Sequence, residues 1–261
     1  MLIDGRKIAE EIVGQLKTRR RPAKFLAAIL VGESAESESF VKQKEKVAKE
    51  LGVDFEIHRY PLDVRGDKLR EEVSKIAGNR ACGGMILQLP LPEQINRNEL
   101  IRMLPPEKDV DNLTGRAAVL APAVGVVEAI IQNLKLKIQN SRAAVVGSGF
   151  LIGKPVAVWL KGRCSELYPL DSSDDLGILK QVDLVISGAG KANLIKPEML
   201  KEGAVVIDFG YDLKDGKLAG DFAAESLVIN HQSSVSYTPT PGGTGPILVA
   251  KLFENFYKLN Q

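Results

Sequence analysis

A strand-like run, RAAVVG (142–147), turns directly into GSGFLIGKP (147–155) and then into a helix-compatible stretch, PVAVWL (155–160). Gly147, Gly149 and Gly153 form a Gly-x-Gly-x-x-x-Gly array, one residue longer than the commonest dinucleotide fingerprint. Such glycines let the backbone turn tightly and approach a pyrophosphate, whose charge then rests on the unsatisfied amides of a helix N-terminus. Asp171 follows the next apolar run, where a ribose hydroxyl needs an acceptor. An ordinary strand-to-helix turn carries the same glycines, so the context has to separate the two readings.

The context is an alternation of helix-like and strand-like segments. IAEEIVGQLKTR, FLAAILVG, SESFVKQKEKVAKELG, VDFEIHRY, DKLREEVSKIAG and GGMILQL follow one another, which argues for a parallel sheet with crossover helices. After the Pro-rich QLPLPEQ and LPPEKDVDN, a helix-like GVVEAIIQNL (125–134) leads into RAAVVG and a second series: LVIS (184–187), AVVIDFG (204–210) and a short strand near SVSYTP. These are the pieces of a Rossmann-type domain. The expected fold is α/β with two domains, an N-terminal α/β domain over 1–118 plus 246–261 and a dinucleotide-binding domain over 119–245. The break falls within TGRAAVLAPAV (114–124). The amphipathic GPILVAKLFENFYKL (245–259) is expected as a terminal helix packing back across the N-terminal domain.

Composition narrows the function. The 261 residues carry 35 basic and 33 acidic side chains, interleaved to a net +2, so no basic field of the kind that neutralises nucleic-acid phosphates is present. The charged start MLIDGRKIAE lacks a signal-peptide core, and FLAAILV (25–31) is too short to span a bilayer, which gives a cytoplasmic expectation and no membrane partner. Cys82 and Cys164 lack a CxxC spacing and sit among apolar residues, so both read as buried structural thiols, with no disulfide and no metal. His58 and His231 stand in no metal-ligand spacing and read as surface or core histidines. Acid–base work then falls to lysine, carboxylate, tyrosine or water.

In SESFVKQKEKVAKEL, Ser37, Phe40 and Lys44 share one helix face; taken alone, the segment reads first as a solvated, charge-rich surface rather than a functional one. GGMILQLPLP reads as a buried strand delivering Gln88 to its carboxyl end, where open α/β sheets gather ligands, although a turn-capping glutamine fits as well. Asp109 and Asp111 of EKDVDN fall in a turn, where capping is the default role. Pro239, Pro241, Gly242, Gly243, Gly245 and Pro246 form a stiff, bent loop with exposed amides, suited to a flat ring or simply to a helix entry.

Taken together, IDGRKIA, the lysine-rich helix, GGMILQLPLP, PEKDVDN, the glycine turn with IGKP, GAVVIDFG, GDF (220–222) and TPTPGGTGP resemble, in order and spacing, the bifunctional methylenetetrahydrofolate dehydrogenase/methenyltetrahydrofolate cyclohydrolase family. The resemblance implies one-carbon folate chemistry, a small-molecule folate substrate, a nicotinamide cofactor (NAD or NADP) and a homodimer. It implies Lys44 as the central catalytic group, Gln88 setting its position and protonation, and Asp111 holding the pterin ring. Phe40, Ser37, Pro241, Gly242 and Gly243 then belong to the folate side. Gly147, Ser148, Gly149, Ile152, Gly153, Pro155, Asp171, Gly188 and Gly243 belong to the cofactor side.

Four departures from the family pattern bear on function. Phe40 stands where the family has tyrosine, which removes a hydroxyl next to Lys44 and slows hydrolysis. LAPA (120–123) replaces a Pro-Cys-Thr-Pro stretch, with an effect no physical argument supplies. GSG replaces Gly-Arg-Ser, so Ser148 stands for an arginine, and Asp171 stands for a small hydroxyl residue. A carboxylate accepts from a free 2′-hydroxyl and repels a 2′-phosphate, which favours NAD. Two other readings stay open: a dehydrogenase with weak cyclohydrolase, and a noncatalytic folate- or nucleotide-binding relative.

Overall fold

The long apolar run of the first sheet, FLAAILV, forms a strand buried along its whole length, as a central parallel strand covered on both faces must be. In the computed structural model, which describes residues 1–214, 217–226 and 234–261, it is β1 (Phe25–Val31), paired in parallel with β2 (Phe55–Tyr60) and β3 (Cys82–Leu87) in the order β2-β1-β3. The helices interleaved with these strands are α1 (Gly5–Lys17), α2 (Ala35–Leu51), α3 (Gly66–Gly78) and a short α4 (Arg97–Met103). Ser34 caps α2 by accepting from the Ser37 amide, and Gly52, at φ 65°, ends it in a left-handed turn.

Two compact units result: residues Glu10–Pro122 with Val249–Gln261, and Met1–Ala9 with Ala123–Leu248. The first holds the β2-β1-β3 sheet. The second contains α5 (Pro122–Asn133, but for its first residue), β4 (Arg142–Val146), α6 (Gly153–Leu160), β5 (Glu166–Leu170), β6 (Leu184–Ser187) and β7 (Val205–Asp208). A small antiparallel pair, β8 (Asp212–Lys214) and β9 (Lys217–Ala219), precedes β10 (Ser236–Tyr237). Its parallel sheet runs β10-β7-β6-β4-β5. The chain start joins this unit because Leu2 bridges Tyr237, and the Ile3 amide donates to Tyr237 O at 2.8 Å.

The last helix, α7 (Thr244–Lys258), carries its C-terminal half into the first unit. There Phe253 meets Phe55, with ring centroids 6.5 Å apart. Gly84 makes the close approach possible: a Cβ at that position would stand 2.8 Å from Phe256, Leu26 and Val110 side chains. The expected return of the terminal helix onto the N-terminal sheet is therefore observed.

Some local expectations need correction. Cys82 is buried, but Cys164 lies past the turn that follows α6 and is only half-buried, because the chain leaves the core after Leu160. His58 lies on β2 beside Glu56, its Nε2 3.4 Å from the carboxylate, whereas His231 falls outside the described residues. No helix among the described residues is long and apolar enough to cross a membrane.

Candidate active site

One face of α2 brings Ser37, Phe40, Val41 and Lys44 to the sheet, as their i, i+3, i+4, i+7 spacing requires. Ser37, Val41 and Lys44 are buried and Phe40 is half-buried. Gln88 follows β3 and is fixed by its own backbone, whose N–H donates to Ile29 O of β1 at 3.0 Å. Its side chain is oriented at both ends. The Lys44 ammonium donates to Gln88 Oε1 at 2.7 Å, and Gln88 Nε2 donates to Leu89 O at 3.0 Å.

Lys44 is 6% exposed, and burial lowers its pKa from the ordinary lysine value, with the Asp111 carboxylate opposing the shift. Asp111 moves the other way: the protein packed around its carboxyl raises its pKa to about 6, against the pull of Lys44 and with the help of Asp109. Each partner is thereby drawn toward its neutral form. A neutral amide beside the lysine accepts its N–H in either protonation state without adding charge.

The two aspartates of EKDVDN separate in role. Asp109, fully buried, builds the turn by accepting from the Leu113 and Thr114 amides and from Thr114 Oγ1 at 2.7–3.0 Å. Asp111 interacts electrostatically with Lys44 instead. The segment is pinned from α7 by Asn255, whose Nδ2 donates to Val110 O and Leu120 O at 2.8 Å each. Sequence reading missed Asn255; its only signal was an amide on the apolar face of an amphipathic helix.

In the second unit, β4 ends in Gly147, at φ 97°, a value natural only to glycine. The Gly147 amide donates to Leu170 O of β5 at 2.8 Å. A Cβ on Gly153 would overlap Gly147 O, and one on Gly147 would sit 2.7 Å from Gly188 O and 2.9 Å from Ala189 N. At Gly149, by contrast, the nearest atom to such a Cβ is 3.8 Å away, leaving room beside the backbone. The turn feeds the N-terminus of α6, where Ile152 makes no side-chain cap and Pro155 lacks an N–H. This cradle fits a dinucleotide pyrophosphate. Gly188, at the end of β6, packs against Ile152.

Ser148 Oγ donates to Asp171 Oδ2 at 3.1 Å, so the two positions that depart from the family pattern touch. Asp174, which sequence reading did not single out, accepts from the Asp171 amide at 2.6 Å and adds a second exposed carboxylate. Pro241, Gly242 and Gly243 form the loop before α7. Gly243 is buried, with Thr238, Pro239 and the Gly5 turn against it, while Pro241 is exposed and Gly242 half-buried beside Arg6. The structure thus gathers Lys44, Gln88 and Asp111 with Ser37 and Phe40 in the first unit. The cofactor-side residues and the 241–243 loop are in the second.

Comparison with known proteins gives two matches that together span the chain. Residues 3–111 match the tetrahydrofolate dehydrogenase/cyclohydrolase catalytic domain, and residues 108–261 match the NAD(P)-binding domain of the same family. The bifunctional protein FolD of Halothermothrix orenii is 35% identical over 277 residues, covering 98% of this chain and 96% of that protein. FolD of Bacillus licheniformis is 34% identical over 278 residues, covering 98% and 96%. Among solved structures, the Trypanosoma brucei methylenetetrahydrofolate dehydrogenase-cyclohydrolase, complexed with NADP and an inhibitor, matches with a TM-score of 0.91 at 28% identity, covering 99% of this chain and 96% of that one. The Campylobacter jejuni bifunctional enzyme matches with 0.91 at 27%, covering 100% and 98%.

Proposed function

The chain belongs to the tetrahydrofolate dehydrogenase/cyclohydrolase family, and from that premise we propose that it oxidises methylenetetrahydrofolate to methenyltetrahydrofolate and hydrolyses the product to formyltetrahydrofolate. The observation that carries this reading is the buried Lys44–Gln88 pair at 2.7 Å with Asp111 in electrostatic reach.

Asp111 binds the pterin ring, and the half-buried ring of Phe40 packs on the folate one helical turn from Lys44. When bound, a nicotinamide ring supplies the acceptor for the hydride that leaves the methylene carbon. Gly147, Gly149 and Gly153 with the α6 N-terminus hold the pyrophosphate, Ile152, Pro155 and Gly188 line the approach, and Ser148 with Asp171 receives the adenosine ribose. Oxidation leaves a cationic methenyl carbon and asks for geometry rather than proton transfer.

Hydrolysis is where Lys44 works. Water adds its oxygen to the methenyl carbon, and the amine of Lys44, drawn toward neutrality by burial, takes the proton that water gives up. The ring C–N bond then breaks and its nitrogen receives that proton, while the hydroxyl on the former methenyl carbon releases its own proton to solvent as the C=O forms, which leaves the formyl group on the other nitrogen. Gln88 holds the amine at the attacked face throughout. Phe40 offers this lysine no hydroxyl, which favours a second reading in which dehydrogenation outpaces hydrolysis.

The cofactor preference is for NAD. Asp171 and Asp174 place two carboxylates where a 2′-phosphate requires positive charge, and Ser148 brings none. Purified protein with methylenetetrahydrofolate and either NAD or NADP tests all of this when reduced nicotinamide and methenyltetrahydrofolate are followed together. Reduced cofactor with little methenyl product supports a balanced bifunctional enzyme, and accumulating methenyl product supports the second reading. No turnover with either cofactor overturns both.

A further inference from the structure

Asp208 and Asp221 are buried in the second unit at 2% and 0% exposure, and among the described residues their side chains accept from backbone amides and one hydroxyl. Asp208, at the end of β7, accepts from Gly210 N at 2.7 Å, Asp221 N at 3.2 Å and Phe222 N at 2.9 Å. Asp221 accepts from Ser187 Oγ at 2.6 Å, Ala189 N at 2.7 Å and Lys191 N at 2.7 Å. The first carboxylate therefore holds the GDF segment, and the second uses that anchorage to hold the loop after β6. Phe222 roots the same segment in the core against Tyr237, with ring centroids 5.4 Å apart.

What this loop touches gives the arrangement a consequence beyond closing the fold. The Gly188–Ala189 peptide is the surface against which Gly147 packs so closely that no Cβ fits. Any displacement of Ala189 therefore shifts the turn that leads to Gly149 and the α6 N-terminus. We propose that Asp221 is a positioning residue for the cofactor turn, fixing the Ala189 and Lys191 amides and through them the seat of Gly147, with Asp208 holding Asp221 in register. The inference rests on the reading of this unit as the nicotinamide site and adds to it a residue that touches no ligand.

Asp221→Asn tests it, because the amide keeps the volume but turns an NH2 toward donors. Ser187→Ala removes one donor from the same carboxylate and serves if Asp221→Asn fails to fold. For parent and variants, three quantities are measured: cofactor KM and kcat of the dehydrogenase, cyclohydrolase rate on methenyltetrahydrofolate without cofactor, and binding of reduced nicotinamide cofactor by fluorescence. Loss of a charge-assisted hydrogen bond is expected to raise cofactor KM and Kd about tenfold in Asp221→Asn and about threefold in Ser187→Ala. The ratio of dehydrogenase to cyclohydrolase falls accordingly, since Lys44, Gln88 and Asp111 belong to the other unit. Unchanged cofactor affinity in a folded variant, or equal loss of both activities, overturns the inference. A parent that neither binds nor turns over cofactor overturns instead the reading on which it rests.

Discussion

Lys44 in the first unit and Asp221 in the second are both charged side chains nearly out of water, at 6% and 0% exposure, and they are handled differently. Lys44 donates to one neutral amide and faces Asp111, and the pKa values of the pair move toward each other, the lysine down and Asp111 up to about 6. Asp221 receives three short donors, and Asp208 beside it receives three more. A group that must gain and lose a proton is kept sparsely bonded, so that small changes in its surroundings move its charge. A group that must hold loops in place is given several converging donors, which fix its position and that of the segments bonded to it. The same burial thus yields a poised group in one unit and a clamp in the other.

The largest break in that comparison comes from Lys44→Met, which keeps the volume and removes the titrating amine. Cyclohydrolase activity is expected to fall about 10³-fold, the range of a lost general base, with a much smaller effect on the dehydrogenase. Stability is expected to hold, because a poised charge costs desolvation that methionine does not, and Asp111 takes up a proton once its cation is gone. The rate of methenyltetrahydrofolate hydrolysis and a denaturation midpoint check the two halves. A variant that unfolds while wild-type activity per folded molecule survives would show Lys44 to be a structural cation.

The poised group was the more legible of the two in sequence. Phe40 and Lys44 stand four apart on one helix face and Gln88 ends an apolar strand, so period and position placed the amide at a sheet's carboxyl end, while the family resemblance singled out the lysine from a segment that alone read as a solvated surface. The two-sheet α/β architecture was legible for the same reason. The clamp was not, because its donors, the Ser187 hydroxyl apart, are backbone amides of Ala189, Lys191, Gly210, Asp221 and Phe222, which carry no residue code and meet only through tertiary folding. Asn255 escaped similarly, its acceptors lying 145 and 135 residues away. Strand β5 reads poorly because Pro169 interrupts it. An edge strand tolerates that proline, and β5 is the edge of its sheet.

A stability profile against pH sharpens the clamp side. Burial and the neighbouring Asp221 raise the pKa of Asp208 from 3.8 to about 6, so between those values the folded state binds more protons than the unfolded chain. Its contribution to stability is therefore present at the acid end and is lost as pH rises from about 4 through 6, by up to roughly 3 kcal/mol. Subtracting the profile of Asp208→Asn isolates this group from carboxylates held below their usual range, such as Asp183 and Glu254. Denaturation midpoints at several pH values supply the difference. A difference that rises with pH would mean that the amide donors lower the Asp208 pKa rather than merely offsetting its burial.

Phe40→Tyr strengthens the poised side by offering Lys44 a hydroxyl. A hydrogen bond to a charged group is worth ~1.5–3 kcal/mol, so cyclohydrolase is expected to rise about ten- to a hundredfold with the dehydrogenase little changed. Equal hydrolysis rates in both proteins would mean that Gln88 alone sets the lysine.

The smallest effect belongs to charges that are neither poised nor clamped. Asp171 and Asp174 are exposed, and water screens an exposed carboxylate far more than a buried one. Asp171→Ser is expected to improve kcat/KM for NADP relative to NAD by only about tenfold. It removes the acceptor of Ser148 Oγ but leaves the Asp174 carboxylate, which accepts from the backbone of residue 171 whatever its side chain. Adding Asp174→Ser extends the gain, and raising the salt concentration shrinks it in the single variant. A preference for NADP in the parent protein, or no change in the ratio for the double variant, would show that Ser148 and the local backbone govern cofactor choice without the carboxylates.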